Sequence, residues 1–193
     1  MLTKRQQEII DKSVRIIATR GIQGLTIKNL SKEIGISEPA IYRHFESKTD
    51  ILLAILQNFK EIIASVNKEL KQINEPAVKK IEILFSRIIN IFIQTPSPIS
   101  VIFSEEIFKN EKVLKNTIVE IMNENERNIE IILKEGQKKR EIRNDIDHKI
   151  LAVIVMGSLR FVIKQWDLKN QHENLGKEGE KLMKGLKKML EKQ

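Results

Sequence analysis

Residues 26 to 48 run Thr26-Ile27-Lys28-Asn29-Leu30-Ser31-Lys32-Glu33-Ile34-Gly35-Ile36-Ser37-Glu38-Pro39-Ala40-Ile41-Tyr42-Arg43-His44-Phe45-Glu46-Ser47-Lys48. Thr26 can cap a helix that begins at Ile27, Leu30 and Ile34 fall on one face of it, and Gly35 offers the left-handed residue at which such a helix stops. A second helix follows at once. Ser37 reads as its cap, Glu38 suits the positive pole of its dipole, and Pro39 lies in the first turn, where it forfeits no intrahelical hydrogen bond. Ile41 and Phe45 are then its core-facing residues. Two short helices joined by a tight glycine connection have the form of a helix-turn-helix.

Upstream, Ile9, Ile10, Val14, Ile16 and Ile17 keep helical spacing between Thr3 and Arg20, and Gly21 stands where a helix C-terminus takes a left-handed residue. This first helix would cover the apolar backs of the other two. Downstream of Thr49, Ile51, Ile55, Phe59, Ile62, Val66, Leu70 and Ile73 step by four or three as far as Asn74-Glu75-Pro76. Val78, Ile81, Leu84, Phe85, Ile88 and Phe92 mark the next helix, closed by Thr95-Pro96-Ser97-Pro98. A shorter helix is predicted around Ile99 to Phe108, then a long one from Val113 to near Gly136.

The segment Ile146 to Trp166 is apolar all round, and a helix of that kind is buried all round, with one side on its own core and the other on a partner chain. Gly157 and Ser158 within it permit either close approach of a partner helix or an ordinary tight core contact. A last helix over Lys177 to Leu190 offers Leu182, Met183, Leu186, Met189 and Leu190 to the same interface. No stretch alternates as a strand. The expectation is an all-α chain of about nine helices, with a three-helix helix-turn-helix domain over residues 1–48 and a larger helical domain over 49–193.

Composition fits. The 193 residues can bury a substantial core, and 41% hydrophobic against 31% charged residues describes a folded helical chain. The longest apolar run, Ile150 to Gly157, is too short for a bilayer, and Met1 to Arg20 is charged throughout, so neither a membrane span nor a secretion signal is read and a cytoplasmic protein is expected. The absence of Cys removes disulfides, thiolate metal sites and thiol nucleophiles. His44, His148 and His172 are too scattered for a metal motif, so no metal and no cofactor are expected. The net charge of +8 favours a polyanionic partner, and the excess is denser at the start: nine Lys and Arg against five Asp and Glu through Lys48, 25 against 21 beyond it.

Residues 5 to 56 resemble the DNA-binding domain of the TetR family of transcriptional regulators. The resemblance is carried by Thr26-Ile27-Lys28-Asn29-Leu30, by Gly35-Ile36-Ser37, and by Ile41-Tyr42-Arg43-His44-Phe45-Glu46-Ser47-Lys48 running into Ile51-Leu52-Leu53. Ser31 and Ile34 stand where the family often has Ala, and Pro39 where it often has Gly, which alters packing detail and base preference. The resemblance makes the remainder a ligand-binding and dimerisation domain, closed by its last two helices, and implies a dimeric repressor on a pseudo-palindromic double-stranded DNA operator. Tyr42 and Lys48 then resemble backbone-contacting residues, Tyr42 alternatively packing and Lys48 alternatively a solvated charge. Thr26 can cap and touch phosphate, with Lys28 beside it. For Ser37 capping is the default. Glu38, Pro39 and Ala40 can face base edges, Glu38 accepting from cytosine N4 and Pro39 or Ala40 meeting a thymine methyl. His44 occupies a position that often contacts DNA.

For the effector, the family implies a small molecule held between Pro76 and Trp166 whose affinity differs between DNA-competent and DNA-incompetent arrangements. Phe85, Ile89, Phe92, Phe103, Met122, Met156 and Trp166 suggest an apolar one, although aromatic and Met residues at helical spacing more often serve as core. Arg160 either meets an acidic ligand group or pairs with Glu105 or Glu106. An enzyme is not expected, for the chain has no phosphate-cradling glycine loop, nucleophile elbow or HExxH pair. The rival reading is a basic helical protein that associates with DNA or membrane without sequence preference.

Overall fold

A computed structural model of the chain describes residues 2–96, 98–103, 111–169 and 171–191. Among these the secondary structure is helical throughout: α1 (Lys4–Gly24), α2 (Ile27–Ile34), α3 (Glu38–Tyr42), α4 (Lys48–Gln72), α5 (Ala77–Gln94), α6 (Ile99–Ile102), α7 (Lys112–Lys138), α8 (His148–Leu168) and α9 (Leu175–Leu190). The chain belongs to the all-α class and forms two compact units, residues 1–61 with 97–120 and residues 62–96 with 121–193. Of the expected helix from Ile99 to Phe108, only α6 lies within the described residues.

Local chemistry sets most of the boundaries. Thr3 opens α1 through a capping box, its hydroxyl accepting from the Gln6 amide while the Gln6 side chain accepts from the Thr3 amide. Thr26 accepts from the Asn29 amide, Asp147 from the Lys149 amide and Asn174 from the Lys177 amide. Ser47 caps α4, accepting from the Asp50 amide at 3.1 Å and donating to the Asp50 carboxylate at 2.8 Å. The helix therefore starts at Lys48, one residue before the expected Thr49.

Two glycines differ from their sequence reading. Gly21 adopts a φ of 68°, open to glycine at no steric cost, but α1 resumes for one further turn and closes at Leu25. Gly136, read as a helix stop, lies inside α7. A Cβ built there would stand 2.6 Å from the Ala77 Cβ and 2.9 Å from the Ile142 Cδ1, so this glycine is a close-approach residue. The stop falls at Arg140, whose φ of 62° is followed by the Glu141 and Ile142 amides both donating to the Gly136 carbonyl.

In the first unit α1 packs on α2 and α6, and Ile9, Ile10, Ile16, Ile17, Leu30, Ile41 and Ile51 are buried. In the second, α9 packs on α5 and α8 over Ile81, Phe85, Leu133, Leu151, Val155, Met183 and Leu190. The loop after α7 is fastened by side chains. Gln137 donates to the Arg143 and Ile146 carbonyls, the Arg143 amide donates to the Leu190 carbonyl, and the Arg143 guanidinium grips Asp145 at 2.6 and 2.7 Å. That hydrogen bond holds the Asp145 carboxyl below its ordinary pKa.

Helix α8 is apolar all round, as its sequence reads, but within one chain only one side is covered. Leu151, Ala152, Val155, Leu159, Ile163 and Trp166 are buried, whereas Ile150, Val153, Ile154, Phe161 and Leu168 are exposed, Phe161 to 64% and Leu168 to 69%. Gly136→Ala should destabilise the protein by about 1–3 kcal/mol, because the Ala77 Cβ cannot rotate out of the way. Thermal unfolding of this variant beside the wild-type protein checks the loss.

Candidate nucleic-acid interface

The corner between α2 and α3 is built from backbone constraints. Gly35 has φ 79° and ψ 32°, and its amide and that of Ile36 both donate to the Ser31 carbonyl, at 2.9 and 3.1 Å. This pairing satisfies one of the carbonyls that a helix leaves unpaired at its end. Ser31, in a position that the family often gives to Ala, is buried and satisfied, its hydroxyl donating to the Lys28 carbonyl at 2.9 Å. The chain then turns into α3, a helix of five residues with Pro39 in its first turn. Such a helix has no stability of its own. It is held by Ile41, which is fully buried, and by Phe45 just beyond it.

Burial divides this segment cleanly. Thr26, Lys28, Ser37, Glu38, Pro39 and Tyr42 are exposed, Tyr42 to 50%, and Ala40, His44 and Lys48 are half-buried, while Leu30, Ile41 and Phe45 lie inside. Ser37 takes the N-cap backbone conformation but makes no side-chain cap bond, so its hydroxyl does not do the capping expected of it. Thr26 does cap, at 3.0 Å from the Asn29 amide. The Lys48 ammonium donates to the Ile22 carbonyl at 2.9 Å.

Three side chains that join the elements of this unit escaped the sequence reading or were read for another purpose. Asn29 donates from its amide to the Gly24 carbonyl at 2.9 Å, Gln6 to the His44 carbonyl at 3.4 Å, and Lys48 as described. All three end on backbone carbonyls, for which a sequence carries no signal. The Ser47 cap was legible, because Ser followed three residues later by an acidic residue is a recognised helix start.

Of the eight residues proposed to line an effector site, Phe85 and Ile89 line a groove of about 790 Å³ beside α5 and α9, with Gly176, Gly179 and Met183 across from them. Phe92 is buried, and Trp166 is buried with its indole donating to the Glu173 carbonyl at 2.7 Å. Met122 is 47% exposed on α7, Met156 and Phe103 are half-buried, and Arg160 is exposed on α8. Glu105 and Glu106, the suggested partners of Arg160, lie outside the described residues. Among the described residues no cluster of His, Cys, Asp and Glu could hold a metal ion, and no helix is long and apolar enough to cross a membrane.

The family profile described as bacterial regulatory proteins, tetR family, matches residues 9–55, and that of the MAATS-type transcriptional repressor C-terminal region matches residues 76–192. The chain belongs to the TetR family. As a TetR-family protein it is a DNA-binding transcriptional regulator, with the helix-turn-helix in the segment just described. Its similarity to individual relatives is low but runs over most of each chain. It is 22% identical over 172 residues to the fatty acid metabolism regulator protein of Bacillus subtilis, covering 89% of this chain and 88% of that one. It is 26% identical over 157 residues to the nucleoid occlusion factor SlmA of Aliivibrio fischeri, covering 80% of each. The crystal structure of the transcriptional regulator FadR from Bacillus subtilis in complex with stearoyl-CoA superposes with a TM-score of 0.81 at 20% identity, over 95% of this chain and 98% of that one.

The candidate DNA-facing residues are tested by comparing Glu38→Ala and Ala40→Gly with Tyr42→Phe. The first two should change which bases are preferred, by about 1–3 kcal/mol at the affected position. Tyr42→Phe should weaken binding evenly over all sequences. Titration of single-base operator variants at fixed salt separates the two patterns.

Proposed function

We propose that this chain is a dimeric, cytoplasmic repressor that binds a pseudo-palindromic operator, with α3 of each subunit in the major groove and an apolar-chain effector releasing it. The observation that carries the DNA half is the division of residues 26–48, with apolar anchors inside and Thr26, Lys28, Ser37, Glu38, Pro39 and Tyr42 outside. A five-residue recognition helix buries too little surface for a stable complex on its own, which favours two heads reading two half-sites. Thr26, Lys28 and Tyr42 would hold phosphates, Glu38, Pro39 and Ala40 would face base edges, and Ser37 and His44 lie beside them. We assign no enzymatic role.

The dimer reading is supported by the uncovered side of α8. Ile150, Val153, Ile154, Gly157 and Phe161 recur at three- and four-residue intervals, and Leu168 follows Phe161 by seven, one stripe of a helix. Gly185 on α9, like Gly157, has open space around a built Cβ, and half-buried Leu182 and Met189 flank it. These two helices would form the subunit interface as a four-helix arrangement.

For the effector, the stearoyl-CoA bound to the Bacillus subtilis relative favours a long acyl chain. The groove beside α5 and α9 supplies an apolar floor in Phe85, Ile89 and Met183, within the volume range of small-molecule sites. Its rim mixes ammoniums and carboxylates, Lys79 with Glu82 at 3.0 Å and Lys187 with Glu191 at 3.7 Å, so recognition there would rest on the chain more than on a charged head.

Selection of bound sequences from random DNA by the purified protein should return a two-fold symmetric consensus, and no enrichment would sink the repressor reading in favour of non-specific basic binding. Phe161→Glu and Val153→Glu should sediment as monomers with unchanged helix content, and a dimer persisting in both would place the interface elsewhere. Stearoyl-CoA should raise the thermal midpoint and release the operator, and coenzyme A alone should do neither. If stearoyl-CoA also leaves both unchanged, the acyl effector is excluded.

A further inference from the structure

We propose that the second unit holds a binding site, between α4 and α7, for a neutral hydrogen-bonding group on an apolar small molecule, read by the carboxamides of Asn67, Asn125 and Asn128.

The buried side of α4 in this unit is formed by Ile63, Val66, Asn67 and Leu70, and Asn67 is its polar member, only 8% exposed. On α7 the buried residues are Ile121, Ile129 and Leu133. Asn125 and Asn128, both half-buried, stand four and seven residues after Ile121, where helical spacing calls for apolar side chains. An amide among buried apolar side chains costs stability unless it is bonded. None of the three carboxamides makes a hydrogen bond among the described residues. No fully sealed side-chain N or O atom of the described residues lacks a partner either. The Asn67 amide therefore borders space that a water-sized group can reach.

The two helices bring the three amides to one level. Lys60 of α4 and Glu120 of α7 lie 3.9 Å apart, and the second unit takes up both helices directly afterwards, from Ile62 and Ile121. The helices thus leave that pair in the same sense. At about 1.5 Å per residue, Asn67 lies about 10 Å beyond Lys60, and Asn125 and Asn128 lie about 8 and 12 Å beyond Glu120.

Each carboxamide offers donors and an acceptor without charge. The buried residues beside them on the two helices are aliphatic, Ile63, Val66, Leu70, Ile121 and Ile129. A carboxylate or ammonium would lose its hydration there and meet no opposite charge on either buried side. The group that fits is one that donates and accepts while neutral, such as a primary amide or a hydroxyl. None of the three asparagines lines the groove beside α5 and α9, so this site is separate from the one proposed for an acyl chain.

The test uses the full-length protein without DNA, so its outcome is independent of the repressor reading. Octanamide and 1-octanol are the neutral probes, and octanoate and octylammonium are their charged counterparts of the same length. Each neutral probe should raise the thermal midpoint, by about 3–6 °C at roughly ten times its Kd, and the charged pair should not. Asn67→Leu and Asn128→Leu should each raise the midpoint of the free protein by about 2–4 °C, because a hydrocarbon of similar size replaces an unpaired amide, and should lose the response to octanamide. A response retained in either variant places the probe elsewhere and overturns the proposal. An unmoved wild-type midpoint with both neutral probes overturns it as well, as does an equal shift by octanoate. A lower midpoint in either variant, or a failure to fold, shows an amide bonded within the protein and sinks the site.

Discussion

Helices α2 and α3 have eight and five residues, lengths at which an isolated helix does not persist in water. They exist because α1 packs on α2 and α2 on α3, with Ile9, Ile10, Val14, Ile16 and Ile17 of α1 buried in the same unit as Leu30 and Ile41. Everything that α3 presents to solvent depends on that packing. If Ile41 were not anchored, Glu38, Pro39, Ala40 and Tyr42 would hang on a loop with no fixed direction. The apolar residues of the segment and its exposed polar ones are therefore two aspects of one constraint, because a short helix can hold its outer face still only through its inner one.

How much of this could be read from sequence varied with the physics involved. The helix-turn-helix was legible because caps, a left-handed glycine and core spacing are local signals, and Thr26, Gly35, Ile41 and Phe45 carry them in the structure as they do in the sequence. The glycines at 21 and 136 show the limit. Glycine is used both for a backbone dihedral and for a missing side chain, and a sequence does not say which. Gly21 has the dihedral without ending its helix, and Gly136 ends nothing because it makes room for Ala77. Ser37 shows a milder form of the same ambiguity, taking the cap conformation without the cap bond.

The helical body was less legible. A stripe of Phe, Ile and Met has the same spacing whether it fills a core or lines a groove, and only packing separates Phe92, enclosed, from Phe85 and Ile89, which also reach the groove. Trp166 is pinned by its own indole hydrogen bond to Glu173. For α8 the composition alone did not say which side is left bare: Leu151, Val155 and Leu159 are buried, whereas Ile150, Val153 and Phe161 are exposed.

The side-chain ties of the first unit share a property with an evolutionary consequence. Gln6, Asn29 and Lys48 each end on a backbone carbonyl, at His44, Gly24 and Ile22. A carbonyl is present whichever residue bears it, so the accepting positions place no demand on side-chain identity. The scaffold is specified by few donors, and none of them lies among the residues that α3 turns outward. Substitutions at Glu38 or Ala40 leave the fastening intact, so a lineage could drift from one operator sequence to another without first passing through a loosened fold.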